Sequence, residues 1–168
     1  MALSMYQASV PVFVQHLNGL SSVLDKAATW VASRKIDPAV LLATRIYPDM
    51  FPLWRQVREV TNHAVNSTAK LAGVDIPKLP ESETSIDELK ARIAAAIAFL
   101  NTIKPAQIDG TEDKTVTMQL GPNQREFKGQ ALLLGHSLPN FFFHATTAYN
   151  LLRQYGVEIG KRDFMGPR

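Results

Sequence analysis

The chain has 168 residues, with 18 Lys and Arg against 15 Asp and Glu, and no cysteine. That length suits one domain with a core that needs no staple, and the missing thiols exclude disulfides, thiolate metal sites, iron–sulfur clusters and a cysteine nucleophile. The charges are unevenly spread: residues 1–24 and 129–152 carry none, while residues 25–128 carry 14 basic and 13 acidic side chains.

Each charge-free stretch is 24 residues long, enough to raise the question of a membrane span. Both are too polar for one: the first holds Gln7, Gln15, His16 and Asn18, the second Gln130, His136, Asn140, His144 and Asn150. No secretory leader or lipidation signal is visible. No Lys/Arg run supplies the concentrated basic footprint that nucleic acid requires. The expectation is a cytoplasmic protein of a single domain, 1–168, with no nucleic-acid or membrane partner.

In chain order, a first helix is expected from about Ser9 to Ser33. Val10, Phe13, Leu17, Leu20, Leu24, Ala27 and Val31 form its apolar stripe, with Ser9 as cap and Pro11 in the first turn. Asp37-Pro38 opens a short helix through Leu42. Asp49 is the expected cap of a second long helix ending at Ala72, with Gly73 as stop and Leu53, Val57, Val60, Ala64 and Leu71 buried. Val74–Thr84 reads as a loop. Ser85 and Glu88 have capping-box spacing for a third helix, Ile86–Ile103.

Thr115–Leu120 alternates as a strand, Gly121–Gln124 is a turn and Arg125–Lys128 the returning strand. The fourth helix is expected over Gly129–Tyr155, kinked at Pro139, or restarted there with Ser137 as cap. The tail Val157–Arg168 reads as surface coil. Four amphipathic helices with one hairpin make an all-α four-helix bundle, the β-hairpin lying between the third and fourth long helices.

There is no P-loop, G-x-S-x-G, dinucleotide fingerprint or H-E-x-x-H. Of the four histidines, His136 and His144 share a helical face with Asn140, at i, i+4 and i+8. The two histidines stand about 12 Å apart along the axis, too far to share one ion. At most one of them pairs with Asn140 on a metal. Phe141, Phe142 and Phe143 point about 100° apart, so they cannot all face one core. Trp54 and an exposed Phe are candidate pocket walls or interface residues.

Several segments resemble a known bacterial family. They are Met5–Pro11 (MYQASVP), Ala43–Gln56 (ATRIYPDMFPLWRQ), Pro105–Asp109 (PAQID), Leu138–Tyr149 (LPNFFFHATTAY) and Gly156–Phe164 (GVEIGKRDF). Together they resemble domain of unknown function 1993, which is similar to the wider DinB-like, YfiT-like group of metalloenzyme candidates. That resemblance implies a DinB-like bundle, often a homodimer. Many members of the group bind a divalent metal, nickel or zinc, through three histidines, and some are thiol-dependent transferases.

In that group one ligand comes from the second helix and two from an H-x-x-x-H pair on the last. The resemblance places the pair on Asn140 and His144 and the third position near Gln56, so the implied metal set is His144, Asn140 and Gln56. Amides stand where two histidines would be, and amide carbonyls are weak ligands for nickel or zinc. The reading is therefore a DinB-like protein with a degenerate metal site and a small-molecule pocket. Gln56, Trp54, His136, Asn140, Phe143 and His144 line that pocket. The alternatives are an active metal-dependent transferase or hydrolase and a non-catalytic dimeric module.

Overall fold

A computed structural model describes residues 3–166. The chain is mostly helical with one small antiparallel sheet. The elements in order are α1 (Val10–Arg34), α2 (Pro38–Leu42), α3 (Leu53–Ala72), α4 (Ile86–Thr102), α5 (Pro105–Ile108), strands β1 (Thr115–Leu120) and β2 (Asn123–Lys128), α6 (Gly129–Leu132), a π turn (Leu133–Ser137), α7 (Leu138–Gln154) and α8 (Lys161–Met165). No described helix is long and apolar enough to cross a membrane.

The periodic apolar positions become the core. Phe13, Leu17 and Leu24 of α1 are fully buried, as are Leu53, Val57, Val60 and Ala64 of α3. Leu89, Ala96 and Leu100 of α4 and Phe141, Ala148, Leu151 and Leu152 of α7 close the interior. Each buried Val, Leu or Phe among them contributes roughly 1.5–3 kcal/mol of transfer energy. The long helices α1, α3, α4 and α7 pack on one another, α3 along α7 and α1 along α4. The rings of Phe13 and Phe141 meet at 4.9 Å between centroids.

The sheet pairs Thr115 with Lys128 through Leu120 with Asn123. The returning strand begins at Asn123, two residues before the expected start, and the turn is correspondingly shorter. Val116 and Met118 face the core, so the hairpin leans on the helices. Its base is closed by a backbone contact: a Cβ on Gly129 would lie 2.0 Å from Thr111 O, and Gln130 N donates to Glu112 O at 2.9 Å.

Three expected helix starts differ. Ser9 makes no cap bond; its hydroxyl donates back to Met5 O at 2.7 Å. Asp49 does not cap α3, because Pro52 occupies the N-cap position in extended backbone and needs no donor there. Ser137 precedes α7 in helical backbone without capping it, and its hydroxyl is buried without a partner. The capping box of Ser85 and Glu88 forms as its spacing predicts, and Gly73 ends α3 at φ 70°.

Pro139 lies in the first turn of α7, which begins at Leu138 as the restart reading expects, although Ser137 makes no cap bond. The chain widens into the π turn before it, where Leu138 N donates to Leu133 O, five residues back. The tail, expected as coil, contains α8, which docks on α1. Glycines permit the contact: a Cβ on Gly19 would lie 2.6 Å from Phe164 O, and one on Gly166 would lie 2.5 Å from Gln15 O. Gln15 Nε2 donates to Met165 O at 2.9 Å and Lys26 pairs with Asp163 at 2.7 Å.

Candidate functional site

The α3–α7 seam and the base of the hairpin build one strip of rings. Phe51 leads into α3 and stacks at 6.2 Å on His144 of α7. His144 stacks at 5.6 Å on His63 of α3, with 13° between the planes. His63 lies 5.6 Å from His136 in the π turn, and Phe127 of β2 closes the end, 5.3 Å from His136. Phe143 meets His144 edge-on at 5.2 Å while remaining 56% exposed.

Gln56 sets the state of His144. Its Nε2 donates to Phe51 O at 3.0 Å, which turns its Oε1 toward His144 Nδ1 at 2.7 Å. An amide oxygen accepts only, so Nδ1 carries the proton and Nε2 keeps its lone pair. Gln56 is 1% exposed, and a buried amide held at both ends keeps that orientation.

All three imidazoles are pushed toward the neutral form. Burial takes His63 down to about 4, with the neighbouring His144 and His136 adding to the effect. Burial also lowers His136, helped by Arg125. His144 is lowered by burial; Glu59 opposes this and Arg55 adds to it. Two charged imidazoles at these separations would repel in a poorly solvated seam. His136 Nε2 is buried without a hydrogen-bond partner.

Of the residues expected to form a pocket, Gln56, His136 and His144 meet in this strip, and Phe143 borders it. Trp54 is half-buried with the Arg58 guanidinium 5.4 Å from its ring centre. Asn140 spends its Nδ2 on His136 O at 2.7 Å, bracing the widened turn. His63, Phe51 and Phe127 were not anticipated. Gln56 and His63 are seven residues apart on one helix, two turns along the same face, and that spacing is the signal that points to His63.

The implied three-ligand metal set does not fit this arrangement. Gln56 Oε1 is occupied by His144 Nδ1. His63 lies 5.6 Å from both His136 and His144 between ring centres. Among the described residues, no group of three or more His, Cys, Asp or Glu could hold a metal ion.

Comparison with known proteins places the chain. A crystal structure of a DinB family member protein from Shewanella denitrificans, at 1.83 Å resolution, superposes with a TM-score of 0.86 at 34% sequence identity. The match covers 97% of this chain and 92% of that one. No curated protein matches. The family model described as Domain of unknown function (DUF1993) matches residues 5–165, so the chain belongs to the DUF1993 family, within the DinB-like group.

Proposed function

We propose that this protein is a DinB-like four-helix bundle that binds a small protic molecule at the imidazole strip, with His144 Nε2 as proton acceptor. One observation carries the reading: the relay from Phe51 O through Gln56 to His144 Nδ1 fixes the tautomer that leaves Nε2 basic. A preset, neutral imidazole is the form required of a general base or hydrogen-bond acceptor. His63 is held neutral beside it, so the strip offers acceptors without charge. A thiol suits such a site, because its proton can move to a neutral imidazole as the thiolate forms. The rings stand 5.2–6.2 Å apart between centroids, a spacing that suits an occupant of few atoms.

The test is thermal-shift screening of untagged protein with small thiols, alcohols, amines and carboxylates, alongside nickel and zinc. A true ligand at about 100-fold its Kd adds about 2.7 kcal/mol. The shift should vanish in His144→Ala, with circular dichroism confirming that the variant folds. No hit in the organic set, or stoichiometric nickel or zinc lost in His144→Ala, overturns the reading. A homodimer forms part of the same proposal: Val40, Tyr47 and Phe143 leave 60%, 65% and 56% of their surfaces exposed. Light scattering that finds a monomer at high concentration removes that part.

A further inference from the structure

Beside the imidazole strip, α3 carries a polar row at four-residue intervals: Arg58, Asn62, Asn66 and Lys70. The row runs about 18 Å along the helix. Two cavities lie on it, of about 320 and 310 Å³, and both are lined by Asn66 and Ile76. The first lies under the loop that carries Lys78 and Glu81 and also touches Arg58 and Arg92. The second reaches Lys70 and the hairpin side chains Thr117 and Gln124. Together they form one furrow between α3, the loop before α4 and the hairpin.

The hydrogen bonds separate what holds the furrow together from what remains to bind. Arg92 is spent: its guanidinium donates to Thr61 Oγ1 at 2.8 Å, to Asn62 Oδ1 at 2.6 Å and to Pro80 O. Glu83 is spent as well, taking Arg58 on both oxygens at 2.7 and 2.6 Å and Arg92 at 3.4 Å. Among the described residues, Arg58 Nη1, both Lys70 and Lys78 ammoniums, and the Asn66 and Gln124 amides have no hydrogen-bond or ion-pair partner. Lys114 is spent too: its Nζ donates to Lys70 O at 3.2 Å and to Leu71 O at 2.9 Å at the end of α3.

The free donors divide between the two cavities. Arg58 and Lys78 line the first, Lys70 and Gln124 line the second, and Asn66 is shared between them. Glu81 is the one carboxylate lining either cavity, and it sits in the first. Arg58, Lys70, Lys78 and Arg92 line the two cavities against Glu81, with Glu83 paired to both arginines behind them, leaving a net charge of 4 − 2 = +2. Cations in both cavities and a shared amide match an elongated anion with hydroxyl groups between its termini.

We propose that this furrow binds an elongated small molecule with an anionic group, phosphate or carboxylate, at each end. The site is separate from the imidazole strip and does not depend on it. The test is a ¹H–¹⁵N NMR titration of the full chain with fructose 1,6-bisphosphate, adipate and inorganic phosphate as probes. The expected result is saturable shifts at Asn62, Asn66, Lys70 and Gln124. At least one two-ended probe should bind tenfold or more tighter than inorganic phosphate, and more weakly as salt rises. Lys70→Ala and Lys78→Ala should each weaken that probe at least threefold. Both side chains are exposed, so neither change threatens the fold. His144→Ala should leave the affinity unchanged, which keeps this outcome distinct from that of the strip. Equal affinity for one-ended and two-ended probes overturns the proposal, as do shifts elsewhere or indifference to both lysine changes.

Discussion

Lowering the pH from 7.5 to 4.5 tests the buried state of His63. Its folded pKa is about 4 against an ordinary value of 6.5. The unfolded chain therefore binds the extra proton throughout that interval, and stability falls as pH drops from 6.5 toward 4. Above 6.5 the contribution is fully present; below 4 nothing more is lost. The gap is worth about 3 kcal/mol at its limit, and about 2.5 kcal/mol of it is gone by pH 4.5. For a chain of this size that is roughly 5–10 °C in Tm. The assay is urea unfolding of the wild type and His63→Gln at both pH values. Carboxylate titration affects both proteins, so it cancels in the difference. The wild type should lose about 2.5 kcal/mol more than the variant. Equal losses would refute the placement of His63 as a neutral ring held in the seam.

Other consequences are as specific. Arg92→Ala leaves Glu83, with its side chain 4% exposed, short of one partner and removes the donor to Thr61 Oγ1 and Asn62 Oδ1; denaturant unfolding should show a loss of about 3–5 kcal/mol. Arg92→Met, which keeps the volume, should cost less than Arg92→Ala. Gly19→Ala pushes a methyl into the backbone of the docked tail, so limited proteolysis should cut near residue 160 faster than in the wild type, with a stability cost of about 1–3 kcal/mol. Ser85→Ala breaks a reciprocal cap at the start of α4 and should lower stability by about 1 kcal/mol by thermal unfolding.

The helical frame was legible because its signals are local. Val10 to Val31 on α1 and Leu53 to Leu71 on α3 repeat at helical spacing, and all the stripe positions are buried. Ser85 and Glu88 announce their helix through bonds confined to four residues. The π turn carries no such mark. Pro139 lacks a donor and Gly135 lacks a side chain, but the extra residue in the turn is selected by packing of the seam and by Asn140 bracing His136 O. That turn aims His136 at His63.

The site was half legible for the same reason. The charge-free second stretch pointed to His136 and His144, and the family resemblance pointed to Gln56. His63 lies outside both charge-free stretches; its spacing from Gln56 puts it on the same face of α3, and the packing of α3 against α7 brings that face to His144. The tail shows the limit most plainly. α8 is five residues long and has little helical stability of its own. Its order comes from Gly19, Gln15 and Lys26, about 140 residues away in sequence.

The most direct test of the central claim is long-range ¹H–¹⁵N NMR of the histidine rings at pH 7. His144 should be neutral with its proton on Nδ1 and a bare Nε2, and His63 neutral beside it. A proton on Nε2 with a bare Nδ1, or an imidazolium at either residue, would contradict that claim.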